Sequence, residues 1–327
     1  MKAFVCSQIG EDLSGTGVMN VFEPDAGPGE VKIRVRAASV NFPDILMCQG
    51  KYQFKPELPF TCGMDVAGEI VAIGEGVSGF TVGQRVCGGA KTGAFAEFAV
   101  LQDKAIRPIP DSFGYDQAAA YGAAYLTAYV SLVRRARIEP GETLLVHGAT
   151  GGVGMATIDV GKILGAKVIA TSGSDDKLEA LKAYGADHVL NVGKGFREEV
   201  KALTDGRGAD VIFDPIGGDV FDESTRCIAF DGRLLVIGFM SGRIAEVKTN
   251  MPLIKGFSVV GVRAGEYGRR FPEKGMENME AIWKWAAEGK TRPYIHAHVP
   301  LRETRSALDM LVNREVIGKV IIEPDQA

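Results

Sequence analysis

Residues 143–154 read Thr143-Leu144-Leu145-Val146-His147-Gly148-Ala149-Thr150-Gly151-Gly152-Val153-Gly154. A short apolar run enters a glycine-rich turn. A helical pattern follows, with Val153, Ala156, Thr157, Val160 and Leu164 recurring along one helix face. Strand, glycine turn and helix is the arrangement that holds a dinucleotide pyrophosphate. Glycine lets the backbone approach the phosphates, and the helix N-terminus offers unpaired N–H groups and the positive end of a dipole. An ordinary βα turn has the same outline, so Gly148, Gly151 and Gly154 take their weight from the strand before them and the helix after.

Downstream of this stretch the two periods alternate. Strand patterns fall at 144–146, 167–171, 188–191, 211–214, 234–237 and 258–262, and helical patterns at 152–164, 175–184, 196–204 and 219–227. Such alternation predicts a parallel, doubly wound sheet. A Trp-containing helix near 278–288 follows, then a strand over 316–322 that is expected to rejoin the N-terminal part of the chain.

Upstream, residues 1–110 read as β-structure punctuated by Gly and Pro, as in a barrel or sandwich. Residues 31–35 alternate like a half-buried strand, 65–74 form a second strand-rich run, and 93–100 alternate again. Residues 108–112 read as a domain-boundary turn and 116–135 as an Ala-rich helix ending in basic residues. The reading divides the chain into 1–122 with 257–327, a β-domain, and 123–256, a dinucleotide-binding domain inserted into it, with a cleft expected between the two.

Composition narrows the function classes. A chain of 327 residues exceeds one typical core. With 46% hydrophobic and 24% charged residues it falls in the ordinary globular range. A net charge of −4 argues against a nucleic-acid partner, and no apolar run is long enough to span a membrane. Met1-Lys2-Ala3-Phe4-Val5 reads as the start of a strand and lacks the features of a signal peptide. Cys6, Cys48, Cys62, Cys87 and Cys227 are widely spaced, odd in number and without a metal-binding spacing; they read as reduced thiols of a cytoplasmic protein.

The second strand of the alternating region ends in Thr171-Ser172-Gly173-Ser174. An NAD-preferring Rossmann domain usually places an acid there, on the ribose hydroxyls. Small neutral residues leave room for a 2′-phosphate instead, with Ser172, Gly173 and Lys177 as its expected neighbours, so the expected cofactor is NADPH. Asp175-Asp176 stand against this if they point inward; as helix-capping acids they do not.

At this point the chain resembles the medium-chain dehydrogenase/reductases, in particular their zinc-free quinone oxidoreductase branch. The resemblance spans essentially the whole length. It is carried by Asn41-Phe42-Pro43-Asp44, Gly50-Lys51-Tyr52, Gly63-Met64-Asp65-Val66-Ala67-Gly68, Gly83-Gln84-Arg85-Val86, Gly93-Ala94-Phe95-Ala96-Glu97-Phe98, Leu126-Thr127-Ala128-Tyr129, the glycine turn and Asp214-Pro215-Ile216-Gly217-Gly218. It implies a GroES-like β-barrel catalytic domain plus a Rossmann domain, usually as a homodimer. Zinc-binding members carry Gly-His-Glu where this chain has Gly63-Met64-Asp65, and a thioether does not replace imidazole on Zn²⁺. The cysteine-rich zinc lobe is also missing, so no catalytic metal is expected. His147 reads as a structural neighbour of the turn, and His296 and His298 as surface or packing residues.

Without zinc, alcohol oxidation loses its Lewis acid. Reduction of a quinone or an activated C=C needs less help: hydride adds to carbon, negative charge moves to a carbonyl oxygen, and a few hydrogen-bond donors stabilise it. By resemblance, Asn41, Asp44, Tyr52 and Thr127 line the nicotinamide end. Asn41 is assigned as an amide donor, Tyr52 as donor to the carbonyl oxygen, and Asp44 as an orienting group. Each has a plainer reading: Asn41 as a helix cap with Asp44 in the first turn, and Tyr52 as a core aromatic. Cofactor contacts are expected from Gly151, Gly152, Val153 and Gly154, and at the ends of later strands from Ile237, Gly238 and Phe239 and from Val262 and Arg263. Val192 departs from the family pattern, in which an aromatic residue or His often faces the adenine. Two alternatives stay open: an enoyl-thioester reductase acting on acyl-CoA, with Arg269, Arg270 and Lys51 as candidate phosphate contacts, and an NADPH-binding sensor or structural protein with little turnover.

Overall fold

The computed structural model describes residues 1–324. Two compact units emerge: Met1–Ala123 joined by the C-terminal segment from Pro293, and Ala124–Arg292.

The first unit opens with β1 (Lys2–Cys6), β2 (Thr16–Asn20), β3 (Glu30–Ser39), α1 (Phe42–Cys48), β4 (Phe60–Thr61), β5 (Asp65–Ile73), β6 (Arg85–Gly89), β7 (Phe98–Gln102) and β8 (Ile106–Pro108). Helix α2 (Tyr115–Tyr129) then carries the chain past the division, and a π-helical stretch, Val130–Ala136, continues it. At that switch the Ser131 hydroxyl donates to the carbonyl of Thr127 at 2.6 Å, a back-bond that loosens the regular ladder.

The second unit contains β9 (Thr143–Val146), α3 (Gly152–Ile163), β10 (Lys167–Ser172), α4 (Leu178–Tyr184), β11 (His188–Asn191), α5 (Arg197–Ala202), β12 (Ala209–Asp214), α6 (Gly218–Ser224), β13 (Ile228–Val236), α7 (Asn250–Lys255), β14 (Ser258–Gly261), α8 (Ala264–Arg270) and α9 (Pro272–Ala287). Its sheet runs β11-β10-β9-β12-β13-β14 with every pairing parallel. That is the 3-2-1-4-5-6 order of a Rossmann fold. All four residues of β9 are buried, as expected of a central strand covered on both faces. The core beside it gathers Leu145, Ile169, Phe196, Ile212 and Leu234.

The chain then returns to the first unit as β15 (Ile295–Pro300), α10 (Thr304–Val312) and β16 (Lys319–Glu323). One sheet of this unit runs β15-β16-β3-β5-β6-β8, with β7 also on β3, and a smaller one runs β2-β1-β4. Strand β16 pairs antiparallel with β3 at Ile321 and Ser39, so the expected return of the C-terminal strand is realised.

Some boundaries differ from the sequence reading. The return to the first unit comes at Pro293 rather than residue 257, because β14 pairs with β13 and α9 stays with the second unit. Residues 108–112 are a turn inside the first unit, which continues into α2 as far as Ala123. The alternation at 93–100 becomes a strand only from Phe98; the stretch before it is a loop crossing β1 through a single Ala3–Ala96 bridge. Among the described residues no helix is long and apolar enough to cross a membrane.

Candidate active site

In the second unit the glycine turn follows β9 directly. Gly148 adopts φ +56°, a left-handed conformation that favours glycine. Gly151 precedes α3 with extended backbone and receives the first helical bond, from the Met155 N–H at 2.9 Å. The N–H groups of Gly152, Val153 and Gly154 therefore belong to the unpaired first turn of α3. A Cβ on Gly154 would stand 2.4 Å from the Gly148 carbonyl oxygen and 2.6 Å from the Ala149 Cα, so the helix packs on its own turn only because the side chain is absent. Gly151 differs: a Cβ there would meet nothing closer than 3.5 Å, and the residue is exposed. It leaves space over the turn where an anion can approach the backbone.

Strand β10 ends in buried Ser172, whose Oγ accepts the Ser174 N–H at 3.2 Å. Gly173 is exposed, and a Cβ there would touch nothing within 4 Å. The half-buried Lys177 lies just beyond. Asp175 does not point into this opening. Its carboxylate accepts Asn191 Nδ2 and Lys194 Nζ, each at 2.7 Å, and those bonds hold it below the usual carboxylate range. Lys194 is a basic group near this end of the sheet that the sequence reading missed; nothing in the local pattern set it apart from a solvated lysine. Val192, the departure from the family pattern, packs against the core.

At the ends of β13 and β14 the expected residues converge by backbone bonding. Ile237 N–H donates to the Asp214 carbonyl and Val262 N–H to the Val236 carbonyl, both at 3.0 Å. A Cβ on Gly238 would lie 3.2 Å from the Pro215 carbonyl oxygen. Phe239 and Arg263 are exposed. The Asp214-Pro215-Ile216-Gly217-Gly218 motif acts as a turn: Asp214 Oδ1 accepts the N–H groups of Ile216 at 2.8 Å and Gly217 at 2.9 Å. All these positions lie at the carboxyl ends of the parallel strands, where open α/β sheets bind their ligands.

His147 is a structural residue, as expected. Its ring nitrogens sit 3.0 Å from Thr171 Oγ1 and 2.9 Å from Ser224 Oγ, and burial pushes its pKa down to about 3, so it stays neutral. Thr127 lies in α2.

The first unit holds the other expected residues. Asn41 caps α1, and Asp44 in the first turn accepts the Asn41 backbone N–H at 2.8 Å, one arm of a capping box. The plainer reading of this pair is thus realised. The donor capacity assigned to Asn41 is already in use: Nδ2 donates to the Ser39 carbonyl at 3.1 Å and to Asp65 Oδ2 at 2.9 Å. Its Oδ1 accepts from Lys319 Nζ at 2.7 Å. Asp44 is fully buried, one of its oxygens has no partner, and burial raises its pKa to about 8. Tyr52 is half-buried against the core, and its hydroxyl bonds to none of the described residues. The N–H groups of Lys51 and Tyr52 both donate to the Leu46 carbonyl, at 2.8 and 3.2 Å, which ties this segment to α1. Lys319 and Asp65 were not singled out beforehand. Their signal is a charge inside an apolar strand pattern, as in Gly318-Lys319-Val320-Ile321-Ile322.

Comparison with known proteins agrees with this geometry. Residues 152–281 match the family model "Zinc-binding dehydrogenase", and residues 27–111 match "Alcohol dehydrogenase GroES-like domain". A quinone oxidoreductase-like protein 2 homolog of Nematostella vectensis is 37% identical over 99% of this chain and 89% of its own length. The chain belongs to the medium-chain dehydrogenase/reductase superfamily, in its quinone oxidoreductase branch. A probable oxidoreductase from Mycobacterium abscessus has the same fold, with a TM-score of 0.90 and 37% identity over 99% of both chains. A mycobacterial protein solved in complex with NADPH reaches a TM-score of 0.91 at 28% identity, covering 99% of this chain and 100% of that one.

One family name mentions zinc, yet the donors present do not suit it. Met64, where the zinc-binding pattern places His, packs its side chain on the core. Among the described residues no three His, Cys, Asp or Glu side chains gather as a metal site.

Proposed function

We propose that this protein is an NADPH-dependent reductase of quinones or α,β-unsaturated carbonyls that works without a metal. The observation that carries the reading is the pairing of an open dinucleotide turn with a thioether at the family's zinc position. Gly152, Val153 and Gly154 supply free first-turn N–H groups for the pyrophosphate, and Gly151 leaves the approach to them open. Ser172 is small and neutral, Gly173 leaves open space beside it, and Asp175 is engaged by Lys194, which favours the 2′-phosphate of NADPH. The NADPH complex of the mycobacterial relative supports the same cofactor. NADPH, when bound, supplies the hydride.

The chain's own groups then stabilise the acceptor. Ile237, Gly238, Phe239, Val262 and Arg263 are assigned to the nicotinamide end. Tyr52 is assigned as hydrogen-bond donor to the acceptor's carbonyl oxygen, since its hydroxyl is not used within the fold, and Thr127 to the nicotinamide end. A neutral phenol placed where charge develops is worth most in a water-poor site. Asn41 and Asp44 act one step back, by fixing α1. The test follows NADPH absorbance with a quinone, an enal, an enone and an enoyl-CoA, with NADH and a chelator as controls. Consumption of NADPH that the chelator leaves untouched is expected; binding without consumption across the panel would favour the sensor alternative.

The partner assignment is a second copy of the chain. Strand β14 is an edge of the parallel sheet, and Leu253, Ile254 and Phe230 nearby are more than 70% exposed, at 83%, 72% and 82%. An unpaired edge flanked by apolar side chains invites isologous strand pairing. Light scattering on Leu253→Asp, expected to shift a dimer toward monomer, tests this. The free cysteines are all buried, which suits a reducing compartment such as the cytoplasm.

A further inference from the structure

Lys319 opens β16 and is only 8% exposed. Its Nζ donates to the Val40 carbonyl at 3.0 Å and to Asn41 Oδ1 at 2.7 Å. On its other side the Asn41 carboxamide donates to Asp65 Oδ2 at 2.9 Å. The amide therefore bridges a buried ammonium and a buried carboxylate. Charge fixes its orientation: a flipped amide would set NH₂ against Lys319 and the carbonyl against Asp65. The strand register builds this arrangement. Ile321 pairs with Ser39 and Ser39 with Asp65, which places Lys319, Ser39 and Asp65 on one face of β16, β3 and β5.

A buried ion pair is weak evidence of stabilisation, since apolar residues of like volume often serve as well. What this one holds is more telling. Asn41 caps α1, Asp44 bonds back to the Asn41 backbone, and the Leu46 carbonyl of the same helix holds the N–H groups of Lys51 and Tyr52. A continuous chain of bonds thus runs from Lys319 and Asp65, through the Asn41 carboxamide and α1, to Tyr52.

We propose that Lys319 and Asp65 are positioning residues for acceptor reduction: their opposite charges lock the Asn41 carboxamide, fix the first turn of α1 and so set where Tyr52 is presented. This rests on the reductase reading above. Displacement of a reacting group by about 1 Å can cost about 100-fold in rate, so loosening the anchor is felt at Tyr52 without any direct contact.

The test uses the full-length protein and its Lys319→Met, Lys319→Arg and Asp65→Asn variants. Met keeps the volume and apolar stem of Lys but removes the charge. Two readouts are combined. The first is the NMR signal of the Asn41 side-chain NH₂, assigned by its loss in Asn41→Ser, together with its solvent exchange. The second is NADPH binding by fluorescence followed by acceptor kinetics. Lys319→Met is expected to move the carboxamide signals toward those of a free amide and speed their exchange, leave NADPH affinity unchanged, and lower kcat about 100-fold with little change in KM. Lys319→Arg is expected to restore both the signals and most of the rate. Unchanged carboxamide signals in Lys319→Met overturn the positioning role, whatever the protein reduces. Released signals with wild-type kcat and KM also overturn it, leaving the pair a purely structural one. A wild-type protein that binds NADPH yet reduces no acceptor brings down the reductase reading, and the positioning role with it.

Discussion

Tyr125 and Arg292, the second and the last residue of the second unit, both donate to Oδ2 of Asp159: Tyr125 through its hydroxyl and Arg292 through its backbone N–H at 3.1 Å. The Tyr184 hydroxyl lies 2.9 Å from the same oxygen and 2.7 Å from the Arg292 carbonyl, sharing its one proton between these two acceptors. One buried carboxylate in α3 thus ties down the points where the chain enters and leaves the unit. Asp159→Ala strands several buried donors, each worth about 1–3 kcal/mol when left unpaired, so a loss on the order of 3 kcal/mol or more is expected. Tyr125→Phe, which removes one bond to a charged group, should cost about 2 kcal/mol. Urea unfolding of the two variants checks both values; an Asp159→Ala midpoint equal to wild type would contradict them.

The turn glycines should separate into two behaviours. A methyl at Gly154 would collide with backbone at 2.4 Å, so Gly154→Ala is expected to lower thermal stability with or without cofactor. At Gly151 the added methyl meets only ordinary contacts, so Gly151→Ala should melt like wild type while binding NADPH more weakly. Melting curves with and without NADPH distinguish the two, and identical behaviour of the variants would show that the pyrophosphate does not approach Gly151.

Cofactor choice is predicted to depend on the open space at Gly173. Gly173→Asp introduces an acid where nothing lies within 4 Å of the new Cβ. Like charges brought together cost several kcal/mol, so NADPH affinity should fall at least about 10-fold while NADH binding is kept or improved. Fluorescence titration with both nucleotides measures this. An equal effect on the two would place the 2′-phosphate elsewhere.

Asp44 should impose a pH dependence on stability. Burial raises its pKa in the folded state from 3.8 to about 8, with Asp65, Lys319 and the Cys48 thiol as its charged and titratable neighbours. Below 3.8 both folded and unfolded chains hold the proton. Between that value and about 8 the unfolded chain releases it and the folded chain keeps it, so stability falls as pH rises through this window. Asp44→Asn keeps an acceptor for the Asn41 N–H and removes the titration. Its melting temperature relative to wild type is therefore expected to climb from pH 5 to about pH 8 and then level off. Parallel curves for the two proteins would show that Asp44 ionises normally.

Much of the fold was legible because parallel strands and their helices write their periods into short windows. The stretches around Leu144, Val168 and Val189 lie within a residue or two of the observed β9, β10 and β11, whereas β13 starts six residues before the stretch read at 234–237. The glycine turn was equally local. What escaped the reading is non-local. Residues 93–97 alternate as a strand does, yet the Phe95 N–H and carbonyl bond to Cys62 and Phe4, and the segment stays a loop. Helix α10 and strand β15 went unassigned, although the alternation of His296 and His298 hinted at the strand. In the first unit the motif around Asn41 was visible, but its partner Lys319 lies 278 residues away, and only the register of β16 on β3 brings them together. Asn41 consequently looked like a donor to a ligand, whereas its amide is occupied inside the unit.

The central claim is direct, metal-free hydride delivery from NADPH to carbon, and isotope transfer tests it most directly. Chelator-treated protein is given an α,β-unsaturated ketone and NADPH deuterated at either face of nicotinamide C4, and the product is read by mass spectrometry and NMR. One deuterium at the β-carbon, from one face only, is the predicted result. Deuterium lost to solvent, reduction by way of a radical that scrambles the label, or turnover that returns only when zinc is added would contradict it.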